Sequence, residues 1–314
     1  MRSQTRLISV SLGLCALLAT AATFADSTSA NPLGLFYDNS FENFDAYKHP
    51  TAMVVAGNCN RYDRRFSEAR AAGAEVLAYL NPTAVYDVLP CKSQSSLYSK
   101  YGSDVKRVPL WPFPNYGQRS SWRRTRITDV RVGSEWSNHV VDFVEHLMRE
   151  GKVDGVFLDV VGARVWSDQT QWSSWDKSEQ DAYTQGNIDL VRRIDASRRA
   201  INPNFIIINN SLWDRGDPAG FEGEQYVDGV VLEHPPLNEY HERYAGRRFS
   251  NLGHRRVLVI ARSAEDAMRW AKVPGVTHVT DQLKYNHPGA PLVPFTALRD
   301  RARGDPDHRE HGAP

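Results

Sequence analysis

The sequence has little net charge and lacks several common motifs that bind nucleotides, metals or cofactors. Its 314 residues include 38 Lys and Arg against 37 Asp and Glu, a formal net charge of +1 at pH 7. This balance disfavours nucleic acid or an anionic membrane surface as a partner. The chain contains no Gly-x-Gly-x-x-Gly, no phosphate-binding loop, no Gly-x-Ser-x-Gly and no His-Glu-x-x-His. These absences argue against dinucleotide enzymes, nucleoside triphosphatases, serine-elbow hydrolases and zinc peptidases, and we predict neither a metal nor an organic cofactor.

The first 25 residues have the character of an export signal. Arg2 and Arg6 precede an apolar run that reaches Phe24, and the small residue Ala25 follows. A membrane anchor is the alternative, because the run has roughly the minimum length for one. Its many Ser, Thr, Gly and Ala residues favour a signal peptide over residues 1–25. We therefore predict a secreted or periplasmic protein that keeps no membrane attachment after cleavage.

Cysteine is equally scarce. The chain has three, and Cys15 lies within the predicted signal peptide, so Cys59 and Cys91 remain. Disulfides persist in exported proteins, and an even pair there predicts a Cys59–Cys91 disulfide. Such a pairing argues against a free cysteine nucleophile.

Short apolar runs of strand character are abundant. Each is almost continuously apolar, as strands covered on both faces are. There are eight: Leu33–Asp38, Ala52–Gly57, Glu75–Asn81, Asp154–Asp159, Asn204–Asn209, Asp228–Glu233, Arg256–Ala261 and Val276–Asp281. Helical patterns lie between several of them, at Arg61–Gly73, Glu135–Glu150, Ser178–Ile201 and Ala264–Ala271.

The alternation of strands with helices predicts the fold. Eight such units over roughly 250 residues are typical of a (β/α)8 TIM barrel, an α/β fold, and we predict a single barrel domain over residues 26–298. A doubly wound open sheet is the alternative, but it usually has fewer strands. The tail at 299–314 is charged and almost without apolar residues, which predicts disorder.

One of the apolar runs occurs twice. Val-Asp-Gly-Val-Phe-Leu-Asp ends at Asp159, and Val-Asp-Gly-Val-Val-Leu-Glu ends at Glu233. Side chains alternate along a strand, so each final acid shares a face with the glycine four residues before it. If the glycines face the barrel interior, Asp159 and Glu233 do too, at equivalent heights. Asp154 and Asp228 begin these strands at the opposite end and are interpreted as turn residues.

The active site of a TIM barrel lies at the carboxyl ends of its strands. Asp159 and Glu233 are therefore predicted to be catalytic. The other strand ends carry side chains predicted to bind a hydroxyl-rich substrate, namely Tyr37, Asp38, Tyr79, Asn81, Asn209, Asn210, His234, Arg262 and Asp281. Structural alternatives exist, because Asp38 could cap a turn, Asn81 could begin one, and the two asparagines could hold a loop. A structural role is favoured for Asp281.

Tryptophan is concentrated after the fourth predicted strand, at Trp166, Trp172 and Trp175. Aromatic rings beside a carboxylate site stack on the apolar faces of sugar rings, which predicts substrate binding, by Trp166 in particular. Packing within a long loop explains the same residues equally well, so both interpretations stay open.

These segments resemble the family 114 glycoside hydrolases, endo-α-1,4-polygalactosaminidases, and related glycoside-hydrolase-like TIM barrels. The similar motifs are Asp-Gly-Val-Phe-Leu-Asp at 154–159, Val-Leu-Ala-Tyr-Leu-Asn at 76–81 and Ile-Thr-Asp-Val-Arg at 127–131. The resemblance implies a carbohydrate-active barrel with Asp159 and Glu233 as its two carboxylates. It also implies that Asp129 and Arg131 belong to the substrate site.

The chain departs from that family at two places beside the predicted site. Val-Val-Gly at 160–162 replaces the Asn-x-Asp that often follows the first acid, and Asn209-Asn210 stands where Lys-Asn is common. A different glycoside-hydrolase-like family with the same barrel therefore stays open. The sugar and the linkage stay open with it.

We predict a secreted, monomeric glycoside hydrolase that acts on a poly- or oligosaccharide. A carbohydrate-binding barrel without activity and a metal-dependent deacetylase or esterase are the alternatives. The fourth and sixth strands are one strand apart, which brings the carboxyl groups to roughly 5–7 Å and favours a retaining mechanism. Asp159, on the shorter arm, is then the nucleophile. Glu233 is the acid/base, with a pKa raised by the neighbouring charge and by burial.

Overall fold

A parallel sheet that closes on itself forms the centre of the protein. The computed structural model describes residues 33–37, 53–57, 61–86, 97, 99–101, 107–112, 125–165, 172–210, 221–235, 256–273 and 275–280. Eight of its strands are β1 Leu33–Tyr37, β2 Met53–Gly57, β3 Glu75–Leu80, β6 Gly155–Asp159, β7 Ile206–Asn210, β8 Gly229–Glu233, β9 Arg256–Ile260 and β10 His278–Thr280. They pair in parallel in the closed order β1-β10-β9-β8-β7-β6-β3-β2. All eight predicted strands are confirmed, in a TIM-barrel-like arrangement.

Helices follow several of the strands. In the described ranges these are α1 Arg64–Ala71, α2 Glu135–Glu150, α3 Lys177–Ile201 and α4 Ala264–Trp270, with short 3-10 helices at Ser99–Tyr101 and Glu222–Tyr226. The four predicted helices are confirmed to within a few residues at each end. A small antiparallel ribbon of β4 Ala84–Tyr86 and β5 Thr125–Ile127, which the sequence did not predict, stands between β3 and α2.

Helix α2 illustrates how sequence sets these bounds. Ser134 caps its start by accepting a hydrogen bond from the Ser137 N–H at 3.0 Å. Gly151 ends it in a left-handed conformation with φ of 63°, which glycine adopts without steric cost. The residues buried along one side of the helix include Trp136, Val140, Val144 and Leu147. That apolar side packs into the layer between the barrel and the helices.

Side chains that point into the barrel form a second, smaller core. It consists of Met53, Val55, Leu77, Phe157, Ile206, Ile208, Val231, Leu258 and Ile260. Phe157 belongs to this set, so Gly155 and Asp159, which share its face of β6, also point inward. The strand periodicity read from the sequence therefore placed the acids on the correct face.

The first acids of the duplicated segments lie at the amino end of the barrel. Asp154 accepts hydrogen bonds from the Val76 N–H and from Arg70, both at 2.9 Å. Asp228 repeats the arrangement with the Ile207 N–H at 2.8 Å and with an arginine of α3. Each carboxylate thus ties its strand to the neighbouring strand and to an outer helix, far from the carboxyl ends.

An ion pair crosses the same amino end. Arg256 begins β9 and Glu75 begins β3, and these strands are four places apart in either direction around the barrel. The Arg256 Nη2 atom lies 2.7 Å from Glu75 Oε1. The amino end is therefore occupied by a salt bridge and the middle by apolar side chains, which leaves the carboxyl end for a ligand.

Several predictions fall outside the described residues. These concern the signal peptide at 1–25, the tail at 299–314, the Cys59–Cys91 disulfide, and Asp38, Trp166 and Asp281. Of Tyr37 only the backbone, at the end of β1, is described. All of the described residues lie in one compact unit that begins at Asn31. None of the helices in those ranges is both long and apolar enough to cross a membrane.

Candidate active site

Three neighbouring strands end in polar side chains that meet inside the barrel. β6 ends at Asp159, β8 ends at Glu233, and β7, which lies between them, ends at Asn210. The Asn210 Nδ2 atom donates to Asp159 Oδ1 at 2.9 Å and to Glu233 Oε2 at 3.0 Å. A single amide nitrogen therefore bridges the two carboxylates.

This bridge limits the distance between the acids. The two oxygens can lie no further apart than the two hydrogen bonds laid end to end, about 5.9 Å. An amide NH2 group directs its N–H bonds about 120° apart, which brings the oxygens to about 5 Å when both bonds are straight. Retaining glycosidases hold their carboxyl groups about 5–5.5 Å apart, and inverting ones about 6.5–9.5 Å apart. The spacing falls at the retaining end of the range expected from the strand order.

Asp159 accepts two further hydrogen bonds. The Tyr79 hydroxyl donates to Oδ2 at 2.6 Å, and the Val160 backbone N–H also donates to the carboxylate. These donors favour the ionised form, but burial outweighs them. Burial, with the charge of Glu233, raises the pKa of Asp159 from 3.8 to about 7.

The raised pKa belongs to Asp159, the acid that the sequence assigned as the nucleophile. The largest cause is the burial of the Asp159 carboxyl group within the protein. Solvent still reaches part of the Asp159 residue from the open end of the barrel. Asp159 therefore titrates close to neutral pH in contact with solvent.

The residue after each acid has a left-handed backbone. Val160 has a φ of 63° and His234 a φ of 50°, and within the described ranges they are the two non-glycine residues with positive φ. This conformation is uncommon outside glycine and is a genuine outlier for a β-branched residue. In both places the chain leaves the strand directly after the carboxylate. The Val160 N–H turns back to Asp159, and the His234 N–H bonds the Ile260 carbonyl at 2.7 Å.

The site is open above an apolar floor. Phe157, one layer below, is 1% exposed, whereas Tyr79, Asp159, Glu233 and His234 each keep part of their surface in solvent. Polar groups that converge at the open end of an apolar barrel suit a ligand with many hydroxyl groups. The predicted residues Tyr79, Asn210 and His234 thus lie with or beside the two acids.

Two of the predicted substrate residues have structural contacts. Asn209 is completely buried on the outer face of β7, and its Nδ2 donates to the Val161 carbonyl at 2.9 Å. Asn81 is also buried, and its Oδ1 accepts from the Ala84 N–H at 3.1 Å in a turn. Both contacts match the structural alternatives that the sequence offered for these residues.

Two predicted basic residues lie at the surface with defined partners. Arg131 donates to both oxygens of Asp129 at 2.8 and 2.7 Å, and these hydrogen bonds to the carboxylate raise the pKa of Arg131. Arg262 is exposed, and its Nε donates to the His234 carbonyl at 3.1 Å. Arg262 therefore lies beside the residue that follows Glu233, whereas Asp129 and Arg131 pair with each other after β5.

Three further side chains support the site and were not singled out from the sequence. Thr83, Thr184 and Asn187 donate hydrogen bonds to carbonyl groups of the segment that follows Asp159. A signal for Asn187 did exist. It stands at helical spacing between Tyr183 and Leu190, so it is a polar residue on the buried side of α3.

The tryptophans after β6 form an aromatic cluster with residues from elsewhere. Trp175 stacks on Trp111 with ring centroids 5.5 Å apart, contacts Trp172 at 5.3 Å and meets the edge of Tyr183. Trp175 is 4% exposed and Trp111 is 1% exposed. For Trp175 the packing interpretation therefore holds, since a buried ring offers no face to a sugar.

We expect Trp175→Ala to destabilise the protein by about 3–5 kcal/mol, because it removes a buried indole and leaves a cavity. Urea unfolding followed by far-UV circular dichroism measures this. The partly buried Trp172 is the matched comparison within the cluster, and Trp172→Ala should cost less. Equal and small losses for both variants would show that the cluster does not pack as described.

No family model matches the sequence, and no curated protein matches it either. Solved structures, in contrast, are similar to this protein in fold. The glycoside hydrolase domain of PelA from Pseudomonas aeruginosa is similar with a TM-score of 0.51 and 11% identity, over 79% of this chain and 98% of that one. The α-L-fucosidase isoenzyme 2 from Paenibacillus thiaminolyticus is similar with a TM-score of 0.53 and 13% identity, over 87% of this chain and 49% of that one.

The chain shares its TIM-barrel-like fold with these two solved structures. At such low identity the likeness establishes the fold and no more. Membership of family 114 stays a prediction, because no family model matches. What the barrel does must be argued from the site itself.

Proposed function

We propose that this protein is a secreted glycoside hydrolase that cleaves a poly- or oligosaccharide with Asp159 and Glu233. The observation that carries the proposal is the Asn210 amide, which spans the two carboxylates at 2.9 and 3.0 Å. It keeps a pair of acids at a spacing that glycosidases use. A glycoside hydrolase domain and an α-L-fucosidase are also among the similar structures.

The mechanism that fits the spacing is retention in two steps. Asp159 attacks the anomeric carbon while Glu233 donates its proton to the leaving glycosidic oxygen, so the first product leaves and a glycosyl–Asp159 ester remains. Glu233, now ionised, then removes a proton from water. That water attacks the same carbon, breaks the ester and returns Asp159 as a carboxylate.

The nucleophile is assigned by its hydrogen bonds. Three donors converge on Asp159, from Tyr79, Asn210 and the Val160 N–H, and they hold the carboxylate in one place. A nucleophile needs such a fixed position, because small misplacements of the attacking atom are costly. Glu233 has the longer side chain and shares the Asn210 bridge, so it is placed to move a proton to and from the leaving oxygen.

The pair holds one proton in its active form. Two carboxylates this close cannot both ionise freely, and they lose their protons in two steps that belong to the pair. The raised pKa of Asp159 puts the upper step near pH 7. In the first step proposed above, this proton is the one that Glu233 gives to the leaving oxygen.

The proposal has further parts beyond the site. They are export by the signal at 1–25, a disulfide between Cys59 and Cys91, a monomeric barrel over 26–298, and a substrate in the range that the family 114 resemblance suggests. A polymer of α-1,4-linked galactosamine is the first substrate to try, followed by neutral galactose- and fucose-containing glycans.

The test is a screen of the purified mature protein against glycans, with detection of new reducing ends. Asp159→Asn protein is the blank that removes contaminating activities. The proposal expects new reducing ends with at least one glycan and none with the blank. Binding without cleavage, unchanged by amide substitution at both acids, would identify a carbohydrate-binding barrel instead. Activity that a chelator abolishes and zinc restores would identify a deacetylase or esterase.

A further inference from the structure

The loop after β6, Val160–Ala163, is fixed at every carbonyl group. We refer to it as the β6 loop. Asn209 donates to the Val161 carbonyl at 2.9 Å and Asn187 to the Gly162 carbonyl at 3.0 Å. The hydroxyls of Thr83 and Thr184, each shared with a second acceptor, reach the Val160 carbonyl at 3.3 Å and the Ala163 carbonyl. The donors come from the segment after β3, from β7 and from α3. Three separate parts of the structure therefore hold the loop that directly follows Asp159.

Three of these hydrogen bonds lie away from solvent, those to Val160, Val161 and Gly162. Thr83 is 2% exposed, and Asn187 and Asn209 are completely buried. When such a donor is removed, the carbonyl it served stays buried without a partner, which is costly. The β6 loop would then lower its free energy by moving toward water or toward another donor.

The backbone conformation of Val160 is strained, and this strain favours movement of the loop. Its left-handed backbone is unfavourable for a β-branched residue, so the surroundings must hold it there. The same conformation aims the Val160 N–H at the Asp159 carboxylate. If the hold were released, Val160 would relax toward negative φ, and its N–H would leave Asp159.

We propose that Asn187, Thr184 and Asn209 are positioning residues, which hold Val160 in its left-handed conformation and thereby fix the Asp159 carboxylate for attack. None of the three bonds directly to Asp159 or Glu233, and Asn187 and Thr184 lie on the outer helix α3. Their part in catalysis rests on the proposed function. Their effect on Asp159 itself does not, because it follows from the Val160 N–H.

The first experiment uses Asn187→Ala and, as a milder variant that keeps the side-chain shape, Thr184→Val. On a cleaved glycan we expect kcat to fall about tenfold or more, while KM stays within about threefold, because the misplaced group is the attacking atom. The carboxyl carbon signal of Asp159, followed by NMR against pH, should titrate at a higher pH than in the wild type. Loss of a hydrogen bond to the ionised form disfavours that form.

The second experiment is a rescue. Glycine adopts positive φ without strain, so Val160→Gly removes the tendency of the loop to relax. Combined with Asn187→Ala, it should return kcat to within about threefold of the Val160→Gly single variant and bring the Asp159 titration back toward the wild-type pH. Failure of the second substitution to recover either quantity would overturn the proposal.

The control is Ile194→Ala, on the same buried side of α3 and at least as destabilising. It should leave kcat and the Asp159 titration unchanged below its melting temperature. If Ile194→Ala changes them as Asn187→Ala does, the effect is general loosening and the positioning role is wrong. If no glycan is cleaved by any variant, the proposed function fails, and the Asp159 titrations alone confirm or overturn the hold on Val160.

Discussion

Asp159→Asn and Glu233→Gln should each lower kcat on a cleaved glycan by about a thousandfold or more. The first removes the attacking carboxylate, and the second removes the group that gives and takes the proton. Both substitutions are close to isosteric, and Asn210 can still donate to the amide oxygen that each variant presents. The folded state should therefore persist, which far-UV circular dichroism checks.

The duplicated segments supply matched controls for these variants. Asp154 and Asp228 begin the strands that Asp159 and Glu233 end, and they bond backbone N–H groups at the amino end of the barrel. Asp154→Asn and Asp228→Asn should lose some stability and keep kcat within about threefold, since neither touches the site. A loss of turnover as large in the controls as in the site variants would show that the ring of polar groups at the carboxyl end is not the active site.

Azide distinguishes the roles of the two acids. With an aryl glycoside that has a good leaving group, Glu233→Gln should still form the glycosyl–enzyme, and azide should release it as a glycosyl azide of unchanged anomeric configuration. Asp159→Gly with azide should instead give the opposite configuration, because azide then replaces the nucleophile. NMR of the products measures the anomeric configuration in both cases. The reverse pattern would exchange the two roles, and an inverted product from the wild type would exclude retention.

The eight strands and the side chains that face inward could be predicted because both depend on the pattern of neighbouring residues in the sequence. Continuous runs of Val, Ile and Leu that are too short for helices indicate buried strands, and the period of two carries Asp159 and Glu233 to the same face as the glycines before them. The ribbon of β4 and β5 was missed for the converse reason. Each of its strands has three residues, and its pairing joins segments that are distant in the sequence.

The function of the asparagines could not be assigned from the sequence. Asn209 and Asn210 are neighbours on β7, so one side chain faces outward to the Val161 carbonyl and the other inward to both acids. Which one faces inward depends on the register of β7 between β6 and β8. An amide at a strand end looks the same in the sequence whether it binds a sugar, holds a loop or bridges two carboxylates.

The raised pKa of Asp159 could not be predicted from the sequence either. The strand order gave the spacing, but the pKa depends on burial and on donors from three other strands or loops. These include the Tyr79 hydroxyl and the Val160 N–H, whose direction comes from a left-handed turn that no sequence rule assigns to valine. Asp159 is consequently the group that should control how the protein responds to pH.

The stability of the wild type should fall as pH rises from about 4 to about 7, relative to that of Asp159→Asn. The pKa of Asp159 is about 7 in the folded protein, whereas the ordinary value of 3.8 applies in the unfolded chain. Between these values the folded state binds the proton more tightly than the unfolded state does. Each unit of rising pH therefore costs the folded state up to about 1.4 kcal/mol, and the penalty levels off above pH 7.

Asp159→Asn removes this penalty because the amide does not ionise. The variant should match the wild type near pH 4 and exceed it in free energy of unfolding by roughly 2–4 kcal/mol above pH 7, the lower part of that range reflecting the solvent that reaches Asp159. Glu233→Gln separates the causes. It removes the repulsive charge and leaves the burial, so its pH dependence should be shallower than that of the wild type without vanishing.

The same titration should appear in activity. Because the active pair carries one proton, kcat/KM should decline as pH rises through about 7, when the pair loses that proton. Urea unfolding at half-unit steps from pH 4 to 8 measures the stability, and initial rates over the same range measure the activity. Unfolding free energies of wild type and Asp159→Asn that stay parallel across this range would mean that Asp159 titrates as an ordinary exposed carboxylate. The shared proton, and with it the mechanism drawn for the pair, would then have to be abandoned.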